Sequence, residues 1–146
     1  MEDQCFQDYD IALEIKNEDD IAISRQVVRE FAQELNFSMG DIIKIATVVS
    51  ELARNIYTYA KEGYIYIRKK EGLTENVVGI EILAYDNGPG IKNLDQVIGK
   101  HIYYERNLKL GLAGIRSLVD KFYVESQVGK GTVIKVEKRK VNLNEL

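Results

Sequence analysis

Proline is almost missing from this 146-residue chain, with Pro89 the only one. No Pro-rich hinge or linker divides it, and its length predicts one domain over residues 1–146. Cysteine is just as scarce. Cys5 alone cannot close an internal disulfide, and with a single histidine, His101, it makes no metal cluster. A reducing cytoplasm is the expected compartment. No apolar run approaches the roughly 20 residues that span a bilayer. The opening Met1-Glu2-Asp3-Gln4 is acidic and lacks the basic-then-apolar pattern of a signal peptide. Neither sign of charge dominates: the formal net charge is −3, so nothing in the composition draws the chain to nucleic acid or to membrane phosphates. Repeats and low-complexity tracts are absent too.

What is present is an ordinary globular composition, 45% hydrophobic and 29% charged. Residues 10–16 alternate Ile11, Leu13 and Ile15, which predicts a first strand. Asp20 is placed to cap a helix in which Ile21, Val27, Val28, Phe31 and Leu35 recur at helical spacing. Ser38 is placed to cap a second helix, with Asp41 in the capping-box position. This helix reads as buried over residues 41–60. Residues 64–68 and 77–85 predict an antiparallel hairpin whose second strand is the more apolar and central one. Residues 110–121 predict a further helix, residues 122–128 and 131–137 a closing pair of strands, and residues 138–146 a charged, frayed end. A short helix from Asn93 and an irregular stretch over residues 100–109 complete the order. The expected class is α+β: a two-layer sandwich with a mostly antiparallel sheet and helices on one face.

Four polar or glycine-rich features interrupt this pattern. Glu51 and Asn55 stand four residues apart, and so share one face of the buried helix at the edge of the stripe Ile45, Val49, Leu52 and Ile56. They admit a structural reading, in which they cap neighbouring backbone. In a functional one, the Asn55 amide oxygen ligates magnesium and Glu51 accepts a proton. Asp86-Asn87-Gly88-Pro89-Gly90 leaves an apolar strand directly. These residues are turn formers, yet the aspartate could accept from an exocyclic amine such as that of adenine. Gly111-Leu112-Ala113-Gly114 opens a helix, where close packing competes with anion binding by free N–H groups. Gly129-Lys130-Gly131-Thr132 joins two strands as a turn, and Thr132 could also bond a base.

Each feature is weak alone. In this order and spacing they resemble the N, G1, G2 and G3 boxes of the GHKL ATPase/kinase superfamily. Ser50 to Ala60, Asp86 to Ile91 and Gly111 to Phe122 are similar to the RsbT-type switch kinases of bacterial partner-switching modules. The resemblance implies the Bergerat ATP-binding fold and transfer of the ATP γ-phosphate to a Ser or Thr of a STAS-domain antagonist. A downstream regulator or sigma factor would be a further partner. It implies Glu51 as general base and Asn55 as ligand of Mg2+. Asp86 would hold the adenine amine, with Gly88 and Gly90 shaping the nucleotide floor. Gly111 and Gly114 would line the phosphates, and Thr132 would support the adenine edge. Asn107 and Lys109 stand where the family's lid usually has glycines. A side chain there can block close phosphate approach, or Lys109 can supply an ammonium counter-charge. The alternative is a non-catalytic or weakly ATP-binding, anti-sigma or partner-binding module of the same fold. Tyr57, Tyr59, Tyr64 and Tyr66 suit either sheet packing or a homodimer interface.

Overall fold

Alternation along the strands makes the sheet two-faced, and the helices take the apolar face. The computed structural model describes residues 8–92 and 111–140. Its elements run β1 (Ile11–Ile15), α1 (Asp19–Glu34), α2 (Met39–Asn55), a π-helical turn (Ile56–Ala60), β2 (Gly63–Glu71), β3 (Val77–Asp86), α3 (Leu112–Leu118), β4 (Lys121–Gln127) and β5 (Gly131–Arg139). The strands form one sheet in the order β1-β2-β3-β5-β4, every neighbouring pair antiparallel. The apolar β3 is central, as its composition predicts. Ile65, Ile67, Ile80, Ile82, Ile134 and Val136 point to one side and are buried against Val28, Ile45, Val49, Leu52 and Ile115 of the helices. The expected two-layer α+β architecture is the observed one.

The other face of the sheet carries Tyr64, Tyr66, Arg68 and Glu81. Glu81 is only 1% exposed although it lies on the side away from the helices. It accepts a hydrogen bond from the Tyr9 hydroxyl at 2.6 Å and pairs with Arg68 at 2.8 Å and Lys135 at 3.4 Å. Burial works to raise its carboxyl, but the bonds from Tyr9 and Arg68 outweigh it and hold the group below its ordinary value. This cluster joins β2, β3 and β5 across the middle of the sheet.

Several boundaries differ from expectation. Asp20 is not an N-cap: α1 begins one residue before it, and its carboxylate reaches back to accept the N–H groups of Lys16 and Asn17, both at 2.9 Å. A short acid in the first turn satisfies the loop that enters the helix, rather than the helix itself. The α-helical part of the second helix stops at Asn55, five residues short of expectation, and widens into the π turn before Lys61 at φ +73°. Ile56-Tyr57-Thr58-Tyr59 is a run of β-branched and aromatic residues with low helix propensity, so tighter coiling gains little there. The charged end is not frayed from Lys138. β5 continues to Arg139, because Lys138 is tucked between Asp41 at 3.7 Å and Asp120 at 3.3 Å and the Arg139 N–H bonds Asp120 at 2.6 Å. The Ser38 cap forms as expected, accepting from the Asp41 N–H at 3.2 Å, while the Asp41 carboxylate turns to Lys138. α3 is shorter than the expected helix over residues 110–121. Asn93, His101, Asn107 and Lys109 lie outside the described residues.

Candidate functional site

The end of β3, the start of β5 and the C-terminal half of α2 converge on one cavity of about 380 Å³. Asp86 is the last residue of β3, and its partner across the ladder is Thr132, the second residue of β5. The chain therefore brings residues from two distant loops side by side through ordinary strand register. The Asp86 carboxylate is half-buried. Burial pushes its proton affinity up, against the pull of the backbone N–H groups of Gly88 and Thr132. Gly88 donates at 2.8 Å to Oδ1. This fixes one carboxylate oxygen in the turn.

Two glycines allow close backbone approach around that turn. Gly90 has φ +78°, and a Cβ there would sit 2.4 Å from the Gln127 carbonyl oxygen. Gly131 has φ +132°, and a Cβ would sit 2.1 Å from the Asp86 carbonyl oxygen. Both are sites of close backbone approach at a φ that L side chains rarely adopt. Gly131 is the second glycine of the Gly-x-Gly-Thr pattern, which by itself gives it no role beyond the turn. Its role is to let β5 press on the end of β3.

Ser126 also belongs to the site, with no motif around it to mark it. Its hydroxyl accepts from the Ile91 N–H at 2.8 Å and lies 2.8 Å from the Thr132 hydroxyl. It ties the segment after the Asp86 turn to the Thr132 wall. The signal was present in the strand alternation of β4, but nothing local marks an inward serine as a fastener.

Asn55 closes α2 and reaches the cavity, together with Leu52 and Ile56 from its own helix and turn. Asp86, Gly90, Gly111 and Thr132 line the same cavity, and so do Tyr59 and Lys92. Five predicted site residues thus share one space. Three others lie beside it rather than in its lining. Glu51 is buried one turn before Asn55, its Oε1 held by the Arg54 guanidinium. Gly88 sits in the Asp86 turn. Gly114 is buried inside α3, where its carbonyl accepts from the Ser117 hydroxyl at 2.7 Å. The ninth, Lys109, is outside the described residues. Gly111 stands just before α3 with no side-chain cap, and a Cβ there would meet nothing within 4 Å. Among the described residues no group of three or more His, Cys, Asp or Glu is arranged for a metal. No helix among them is long and apolar enough to cross a membrane.

A one-sided antiparallel sheet, with an acid at the end of its central strand and an amide on the helix opposite, defines a class. Residues 40–142 match the histidine kinase-, DNA gyrase B-, and HSP90-like ATPase family, and the chain belongs to it. Among individual proteins, it is 40% identical to the serine/threonine-protein kinase RsbT of Bacillus subtilis, over 85% of this chain and 92% of that one. It is 29% identical to the anti-sigma F factor of Caldanaerobacter subterraneus, over 80% of this chain and 83% of the relative. Two solved structures share the fold. One contains the RsbU and RsbW domains of a Mycobacterium tuberculosis protein, with TM-score 0.61 and 16% identity over 89% of this chain. This chain spans only 32% of that longer one. The other is the SiaB–SiaC complex of Pseudomonas aeruginosa, with TM-score 0.57 and 10% identity over 91% of each chain.

Proposed function

We propose that this chain is a serine/threonine protein kinase of a partner-switching module. In this reading it transfers the ATP γ-phosphate to a Ser or Thr hydroxyl of a STAS-domain antagonist, and works in the cytoplasm as one catalytic domain. The observation that carries the reading is the placement of Asn55 and Asp86 in one cavity, with Glu51 one turn behind Asn55 on the same helix. The 40% identity to a serine/threonine-protein kinase over most of both chains supports it.

The cavity fits a nucleotide. Its size falls within the ~300–1,000 Å³ of ordinary ligand pockets. Leu52, Ile56, Ala84, Ile91, Leu112 and Ile134 give it apolar walls for a flat base. Asp86 is placed to accept from the adenine amine, with one oxygen already fixed by Gly88. Thr132, steadied by Ser126, supports the same edge of the base. Gly88 and Gly90 shape the floor by allowing the turn. Gly111 gives the phosphates room to approach the start of α3, and Gly114 supports this from within the helix. Lys109 would offer its ammonium to the phosphates.

Asn55 would hold magnesium through its amide oxygen. A single amide ligand is compatible with this ion, which dehydrates reluctantly. When bound, it would supply positive charge against the phosphates. Glu51 accepts the proton of the attacking hydroxyl, so that oxygen bonds to the γ-phosphorus as the bond to the β-phosphate oxygen breaks. Burial beside the core keeps this carboxylate from roaming.

Radiolabelled ATP and a STAS-domain protein test this reading. Glu51→Gln should lower transfer by roughly 10²–10⁴-fold with ATP binding kept. Equal transfer by both proteins would remove Glu51 from the mechanism. No transfer by the wild type, with the partner still bound, would make the chain a binding module.

A further inference from the structure

We propose that Arg54 is a positioning residue for phosphoryl transfer, acting through Glu51. The inference rests on the reading of Glu51 as the general base. A carboxylate that takes a proton from a hydroxyl must present one oxygen in a narrow range of directions. Glu51 lies on α2 with its side chain 9% exposed, and the neighbouring side chains on its own helix are mostly apolar. Apolar neighbours fix where a side chain lies but not the rotation of its terminal carboxylate, which is a soft torsion.

Arg54 supplies the missing constraint. It is three residues on, so it rises over the same face of the helix. Its Nη1 donates to Glu51 Oε1 at 2.5 Å, a short charge-assisted contact. The guanidinium takes Oε1 and leaves Oε2 to accept the hydroxyl proton. Arg54 itself is 31% exposed at the side chain, so the pair joins a buried carboxylate to a partly exposed arginine.

Position matters as well as charge. Arg54 directly precedes Asn55, so one helical turn carries the base, the group that aims it and the metal ligand. A purely structural partner of a buried carboxylate would show its loss in folding stability, whereas a residue that aims a base shows it in kcat.

The test compares wild type, Arg54→Met, Arg54→Lys, Glu51→Gln and the double variant Glu51→Gln/Arg54→Met. Transfer to the STAS-domain protein gives kcat and KM, and fluorescent ATP binding is measured separately. Arg54→Met should lower kcat by roughly 10- to 100-fold, the scale of a misplaced catalytic group, with ATP affinity kept. Arg54→Lys keeps the charge without the fork, and should recover part of the loss. In the Glu51→Gln background the Arg54 change should have no further effect, since it acts through the missing carboxylate. An unchanged or raised kcat in Arg54→Met overturns the inference. So does a loss of ATP affinity that matches the loss of kcat, or a full additional loss in the double variant. If Arg54→Met fails to fold, a wild-type kcat in Arg54→Lys overturns it as well. The base reading fails separately, if Glu51→Gln alone keeps wild-type transfer, and the inference falls with it.

Discussion

Asp86 carries two opposed demands in one side chain. Burial disfavours its charge, while an adenine amine needs a charged or at least strongly accepting oxygen. Because its folded value is raised, the native state keeps the proton at a pH where the unfolded chain has lost it. Stability from this group is therefore full below the ordinary carboxylate range and is lost as pH rises through the folded value. Near neutral pH the ionised form weighs against folding. Asp86→Asn should raise the melting temperature of the nucleotide-free protein near pH 7, with the gain vanishing in acid. It should also weaken ATP binding by roughly 10- to 100-fold, the scale of one hydrogen bond to a charged group. Differential scanning fluorimetry across pH and a nucleotide titration check both halves. A variant that is less stable near neutral pH, or that binds ATP as well as wild type, contradicts this account. The positions of Asp86 at a strand end and of Glu51 and Asn55 on one helix face were legible in the sequence, because spacing and residue type carry them. The partners that tune them were not. The i,i+3 spacing lets Arg54 reach Glu51 but does not choose that carboxylate over water, and nothing near Ser126 says that it would fasten Thr132.

The site depends on two elements meeting, and the glycines at that junction differ in what they tolerate. Gly131 has a left-handed φ and the Asp86 backbone against it, so Gly131→Ala should lose at least ~1–3 kcal/mol in stability from strain alone. Gly111 has φ −73° and open space where a Cβ would go. Gly111→Ala should fold with a loss of at most about 1 kcal/mol. Urea unfolding of the two variants separates them, and similar losses would mean that β5 does not press on β3 as described. The strand positions and the two long helices were predictable from period and length. Their ends were less so, because boundaries are settled by neighbours. Asp20 looked like a cap by type and offset, yet the loop before it had the unpaired N–H groups. Lys138 looked like the start of a charged tail, yet two acids from other elements held it in β5. The π turn at Ile56–Ala60 was invisible to a helical wheel, since apolar periodicity continues through it while the backbone widens.

At the scale of the molecule, the layer opposite the helices is held by polar chemistry. Glu81 anchors Tyr9, Arg68 and Lys135 over the centre of the sheet, and its carboxyl is held below its ordinary value. Its contribution is present above the unfolded carboxylate value and is lost as pH falls through the folded one. Glu81→Gln should cost about 1–3 kcal/mol near neutral pH and flatten the acid dependence of stability, as read from urea midpoints at a series of pH values. An unchanged acid limb would assign acid unfolding to other groups. Nucleotide acts on the same balance: ATP at ~100 times its dissociation constant should stabilise the fold by about 2.7 kcal/mol, and Asp86→Asn should shrink that gain at fixed ATP. The sequence by itself determined the fold class, the helical pair Glu51 and Asn55, and the acid at the end of the central strand. Periodicity and motif order depend only on local spacing. The tertiary structure decided that Asp86 and Thr132 face one cavity, that Gly131 must be small, that Glu81 is a buried hub rather than a solvated charge, and that Arg54 holds Glu51. Each of these depends on strand register or on the direction of a side chain, and a linear order of residues does not fix either one.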